Sequence, residues 1–176
     1  MSTAAAEALF STARLDIVFL GPDTAAKAGK VLMLAPAFYE AEFEAPPTPE
    51  DVTGLLLDMM TGDPPPGVTR AQVFPLGLAL KGSPDFIGMA HLVLGFPTEN
   101  RMLVVFLILA ESQQKKGFGR EFIQGMYDWA RPQGIDFLRV KVRGIHAGAK
   151  AFLDKLGFAE LTEGNAWERK LPATED

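Results

Sequence analysis

Gln114-Lys115-Lys116-Gly117-Phe118-Gly119 lies between an apolar run, Leu103 to Ala110, and an amphipathic segment, Arg120 to Ala130. The order is strand, tight glycine turn, helix start. Glycines at such a turn let the backbone approach a ligand closely, and the first amides of a helix have no partner within it. Those amides and the helix dipole suit a phosphate or pyrophosphate. Lys115, Lys116 and Arg120 add positive charge there, in a chain whose net charge is −5. A bulky side chain at Gly119 is expected to occupy the phosphate position.

A second string follows about thirty residues later, from His146 to Phe158. Its residues Ala149, Phe152, Leu153 and Leu156 form an apolar helical stripe, and Gly157 is the stop. Together the two strings resemble the Gcn5-related N-acetyltransferase (GNAT) family. That family's acyl-CoA loop reads Q/R-x-x-G-x-G/A, matched by Gln114, Gly117 and Gly119. Its later motif reads roughly N-x-x-A-x-x-L-Y-x-x-x-G-F, matched by Ala149, Phe152, Gly157 and Phe158. The likeness covers roughly Phe86 to Leu161.

The resemblance implies acetyl-CoA as acyl donor. The amides of Lys115, Lys116, Gly117, Phe118, Gly119 and Arg120, beside Gln114, would hold its pyrophosphate. The backbone of Leu107, Ile108 and Leu109 would pair with the pantetheine arm like an added strand, with the Leu109 amide facing the developing oxyanion. His146 stands where the family has asparagine, as a CoA contact or a helix cap. Phe38, Tyr39 and Glu40 fall where the family builds its acceptor pocket. Two family positions are vacated: Leu153 replaces a tyrosine acid, and Leu103 stands where some members carry a glutamate base.

Acyl transfer to an amine needs a neutral nucleophile and a proton path through side chains or water. His91, one strand before the apolar run, titrates near neutrality if unperturbed and is one candidate base, or a structural histidine. Glu111, directly after the run, is the other, or a solvated loop charge. With Glu40 it would draw a cationic amine toward the pocket. Arg139, Lys141 and Arg143 share one side of a strand and would pair with neighbouring carboxylates or an anionic partner.

These residues need elements to position them. Leu15 to Leu20 reads as a first strand. Thr24 to Glu44 is Ala-rich and helical in pattern, interrupted by Pro36. Thr48, Pro49 and Asp51 spell a capped helix start, running to about Met60. Strands are expected at Ala71 to Leu80, Phe86 to Leu94 and Met102 to Ala110, joined by hairpin turns. The helix bearing Phe118, Phe122, Met126 and Trp129 then leads to a strand over Asp136 to Arg143. A helix from Ala147 to Leu156 and strands near Phe158 to Thr162 and Ala166 to Lys170 complete the chain. The expected fold class is α/β (α+β): a single mixed, mostly antiparallel central sheet flanked by helices, with residues 1–176 forming one domain.

Composition narrows the function further. The 176 residues are 48% hydrophobic and 22% charged, the balance of a globular chain. The cysteine count is zero, which excludes disulfides and thiolate chemistry. Neither a signal peptide nor an apolar run of membrane-spanning length is evident, so a cytoplasmic protein is expected. Negative charge argues against nucleic acid. The expected partner is a small-molecule or peptide amine acceptor, and an open sheet edge would allow a homodimer. Two functions fit: an N-acetyltransferase, or an acetyl-CoA-binding sensor that does not catalyse.

Overall fold

Pro36 starts a second helix where a single interrupted one was expected. In the computed structural model, which describes residues 7–142, 147–162 and 165–172, α1 spans Ala25–Met33 and α2 spans Pro36–Phe43. Proline suits the first helical turn and bars its predecessor from helical geometry. Ala35, at φ −129° and ψ 55°, is accordingly non-helical. Helix α3, Pro49–Thr61, has the expected capping box, in which the Thr48 hydroxyl accepts from the Asp51 amide and the Asp51 carboxylate accepts from the Thr48 amide.

The described residues form one eight-stranded sheet. Its strands are β1 (Ala8–Ser11), β2 (Leu15–Phe19), β3 (Val73–Leu80), β4 (Phe86–Leu94), β5 (Arg101–Leu109), β6 (Phe137–Lys141), β7 (Ala159–Glu160) and β8 (Ala166–Lys170). The spatial order is β1-β2-β3-β4-β5-β6-β8-β7, and only β5 and β6 run parallel. This is the mixed, mostly antiparallel sheet expected from sequence, extended by β1, which was not foreseen. Helices α1 and α3 cover one face around Val31, Leu32, Leu56 and Met59. Helices α4 (Phe118–Ala130) and α5 (Ala147–Lys155) cover the other, around Phe122, Met126 and Leu153.

A bulge in β5 decides how the site is built. His91 pairs with Phe106 and Leu92 with Val104, leaving Val105 as an extra residue. Side chains alternate strictly along a strand, so one extra residue exchanges the two faces. Before the bulge, Met102 and Val104 face the α4–α5 core. After it, Phe106 and Ile108 face α1 and α3, while Leu107 and Leu109 take the α4 side.

At the same place β6 leaves β5. Their ladder runs from Arg101↔Phe137 to Val104↔Val140 and ends there. Below the split, Glu168 on β8 binds Arg101 on β5 (Nε–Oε2 3.1 Å) and Arg139 on β6 (Nη2–Oε2 2.8 Å). Burial would raise the Glu168 carboxyl, but hydrogen bonds and charge from both arginines outweigh it and lower its pKa. The predicted pairing of the basic stripe with a carboxylate thus holds for Arg139; Arg143 lies outside the described residues.

Candidate functional site

Beyond Val104, the outer edge of β5 has no strand partner among the described residues. The edge opens into a cleft of about 260 Å³. Val105, Phe106 and Leu107 form one wall, Val140, Lys141 and Val142 the opposite one, and Phe152 and Leu153 the side; Phe38 and Gln114 sit at the ends. The cleft is mainly apolar, and Lys141 is its charged side chain among the described residues.

Backbone polarity along this edge follows from two bonds. The Ala110 amide donates to the Ile87 carbonyl of β4 at 2.9 Å, so residue 110 faces inward. The Gln114 side-chain amide donates to the Leu109 carbonyl at 3.1 Å, so residue 109 faces outward. Alternation then turns Leu107 and Leu109 toward the open edge and Ile108 toward β4. Of the three residues expected to pair with the donor arm, Leu107 and Leu109 turn their backbone to the open edge, whereas the Ile108 backbone belongs to the β4 ladder and the residue is 2% exposed.

The edge leads directly to the start of α4. Gly117 is the helix N-cap at φ 84°, and no side chain caps the helix. Lys115 also has a left-handed backbone, φ 61°. The amides of Phe118, Gly119 and Arg120 therefore have neither helical partners nor a side-chain cap. Lys115, Lys116 and Arg120 are exposed around them. Phe118 itself is buried, so only its backbone can meet a ligand.

Gly119 corrects one expectation. A Cβ there would lie 3.2 Å from the Phe152 ring tip and 3.8 Å from Leu109 Cδ1, inside the core. Its bare backbone lets α4 close against α5. A side chain there meets Phe152 before it meets any anion.

The remaining candidates scatter. His91 faces the α1–α3 side, its ring 5.7 Å from that of Phe106, outside the cleft lining. Its Nε2 is buried without a hydrogen-bond partner. Desolvation, reinforced by Arg70, lowers its pKa to about 4, so it is neutral at pH 7 and a weak base. That geometry sets His91 apart from the cleft that sequence reasoning assigned it to serve. Glu111 is exposed; it donates its amide to the Leu34 carbonyl at 2.9 Å and lines a separate depression with Met33, Leu34, Pro36 and Ser112. Glu40 is exposed and Tyr39 is 5% exposed against Phe43; neither lines the cleft. Of that predicted trio only Phe38 does, packed on Phe106. The acidic pull expected from Glu40 and Glu111 is thus absent from the cleft wall. His146 lies outside the described residues.

An open strand edge running into an uncapped, cation-flanked helix start has the physical features that suit an extended chain ending in phosphates. The model of the acetyltransferase (GNAT) family matches residues 36–158. The chain belongs to that family. Comparison with curated proteins finds no significant match. Among solved structures, this GNAT chain is similar to an acetyltransferase from Thermus thermophilus, at 24% identity and TM-score 0.75, over 89% of this chain and 97% of the other. It is also similar to the ribosomal-protein-S18-alanine N-acetyltransferase of Escherichia coli (16%, TM-score 0.62, 92% and 97%). A third is PaiA N-acetyltransferase from Thermoplasma acidophilum in complex with coenzyme A (18%, TM-score 0.62, 89% and 98%). At these identities the structural likeness speaks for the shared GNAT fold. No helix among the described residues is long and apolar enough to cross a membrane.

Proposed function

We propose that this GNAT protein transfers an acetyl group from acetyl-CoA to a primary amine. The observation that carries the reading is the outer edge of β5 from Val105 to Leu109, without a strand partner among the described residues and ending at the uncapped amides of α4. Leu107 and Leu109 would receive the pantetheine amides, and the α4 amides with Lys115, Lys116 and Arg120 would receive the pyrophosphate. Acetyl-CoA supplies an activated thioester carbonyl. The described residues supply alignment, which converts an encounter into an effectively unimolecular step. Leu107, the outward-facing residue that lines the cleft, would offer its N–H to the negative charge developing on the carbonyl oxygen. It replaces Leu109 as the preferred donor.

The amine nitrogen adds to the acyl carbon, moving the carbonyl electron pair onto oxygen, and collapse of that oxyanion breaks the carbon–sulfur bond. The amine loses its proton to water, because His91 and Glu111 lie off the cleft. The thiolate takes a proton from water, because Leu153 stands where the resemblance puts an acid. A CoA thiol near the ordinary thiol pKa of about 8.5 is a tolerable leaving group without help.

One observation favours a second reading, an acetyl-CoA sensor: no carboxylate, hydroxyl or imidazole lines the cleft among the described residues. Calorimetric acetyl-CoA binding, paired with CoA release across a panel of amines, separates the two. Binding with turnover supports the transferase, binding without turnover the sensor, and no binding refutes both.

A further inference from the structure

The β1–β2 hairpin, absent from the sequence reading, reaches the phosphate loop through one side chain. Both terminal nitrogens of Arg14 donate to the Lys116 carbonyl, each at 3.2 Å. Its Nε donates to Glu121 Oε2 at 2.6 Å, and its guanidinium lies 4.2 Å from the centre of the Phe118 ring. Glu121 is held in turn by the Thr12 hydroxyl at 2.6 Å and the Arg14 amide at 2.7 Å. Burial would raise the Glu121 carboxyl, but these hydrogen bonds and the Arg14 charge lower its pKa. It stays ionised as Arg14's counterion.

We propose that Arg14 is a positioning residue that sets the peptide between Lys116 and Gly117 for anion binding, with Glu121 anchoring it. The inference rests on the reading that this loop takes the CoA pyrophosphate. In a trans peptide the carbonyl and the following N–H point in opposite directions. A fork that holds the Lys116 carbonyl toward the hairpin turns the Gly117 N–H to the other side of the loop, away from the hairpin.

The loop needs such a brace. Lys115 holds a left-handed backbone without being glycine, and strain of that kind persists only where surrounding contacts over-determine it. Gly117, at φ 84°, lies directly against the fork: a Cβ there would come 3.4 Å from Arg14 Nη2. All three guanidinium nitrogens are engaged and Glu121 balances the charge. Arg14 is therefore a brace behind the loop, not a ligand in front of it.

The test compares wild type with Arg14→Gln, Arg14→Lys, Glu121→Gln and the Arg14→Gln/Glu121→Gln double variant. Backbone ¹⁵N relaxation on the ligand-free proteins reads the order of residues 115–119. Calorimetry reads affinity for CoA and for dephospho-CoA. Wild-type amides should show order parameters near the rigid value of about 0.85, falling below about 0.6 in Arg14→Gln. Affinity for both ligands should fall by the same factor, about tenfold, the size of one charged hydrogen bond. Glu121→Gln should reproduce part of the loss, and the double variant should lose no more than Arg14→Gln alone. Arg14→Lys, which can still bond the carbonyl, should recover part of it.

A loop that stays ordered in Arg14→Gln overturns the proposal whatever CoA does. A loss confined to CoA and sparing dephospho-CoA also overturns it, by making Arg14 a direct ligand of the 3′-phosphate. If Arg14→Gln fails to fold, Glu121→Gln and Arg14→Lys decide by the same two measurements. Wild type binding neither ligand would refute the CoA reading, while the relaxation data would still decide whether Arg14 orders the loop.

Discussion

Replacing His91 with leucine should flatten the pH dependence of stability between pH 4.5 and 6.5. The folded-state pKa of His91 is lowered from 6.5 to about 4, with desolvation as the main cause and Arg70 assisting. A lowered pKa means that the unfolded chain binds this proton more readily than the folded one. Stability from keeping His91 neutral is therefore complete above pH 6.5 and drains away as pH falls toward 4. With those two values, linkage gives a loss of about 0.8 kcal/mol at pH 6, about 2 kcal/mol at pH 5 and about 3 kcal/mol at pH 4. The carboxylates Glu121 and Glu168, whose pKa values are lowered in the fold, add losses that begin as pH falls through the ordinary carboxylate range, in wild type and variant alike. Urea melts at half-unit intervals, wild type against His91→Leu, isolate the His91 share by difference. The leucine removes the buried unpartnered Nε2, so the variant should hold its stability down to pH 5 while wild type loses about 2 kcal/mol. An imidazole resonance assigned to His91 that titrates near 6.5, or parallel stability profiles in the two proteins, would refute the placement argued for it.

Gly119→Val should lower the melting temperature, because overpacking against Phe152 costs typically about 1–3 kcal/mol, and a second change, Phe152→Leu, should recover part of the loss. A variant that melts like wild type yet no longer binds acetyl-CoA would instead put the new side chain at the phosphates. Glu168→Gln should cost about 1–3 kcal/mol in urea unfolding, since Arg101 and Arg139 would face each other without a counterion; a change under about 0.5 kcal/mol would show that the clamp is idle. Leu153→Tyr should leave acetyl-CoA affinity within a few-fold and preserve or raise turnover, measured by CoA release. If turnover collapses in Leu153→Ala beyond what lost stability explains, Leu153 itself shapes the site, and it is not merely a vacated acid position.

Glycine and proline punctuation made much of this molecule legible in advance. Thr48-Pro49 located α3, Gly117 located α4, and hairpin turns separated β3, β4 and β5. Their signals are local, fixed by capping and turn chemistry within a few residues. The β5 bulge was illegible for a physical reason: Leu103 to Leu109 is apolar throughout, so no alternation exists whose reversal could be seen. Arg14 was missed because its partners, Lys116 and Glu121, lie more than a hundred residues away in sequence. Ser11-Thr12-Ala13-Arg14 between two short apolar runs was the available hint of a hairpin. Catalytic candidates fared worst. His91 and Glu111 were chosen by side-chain type and strand position, and neither reports which face of a bulged sheet it will occupy.

If the acyl donor seats on it as proposed, the outer edge of β5, unpaired among the described residues, would also couple the protein's stability to its donor supply. On the side away from β4, Val-Phe-Leu-Ile-Leu, residues 105–109, has no strand partner among the described residues, and its apolar stretch is the sort of edge on which other chains nucleate. Phe152, Leu153 and Val140 line the cleft beside this edge. On the proposed reading, an acyl-CoA arm seated there would act as a ninth strand, borrowed and returned with every turnover. A ligand at a hundred times its dissociation constant stabilises its folded host by about 2.7 kcal/mol. Cells rich in the thioester would then keep the protein folded and long-lived. Scarcity would leave the sheet one strand short and expose the chain to degradation, before any change in its synthesis.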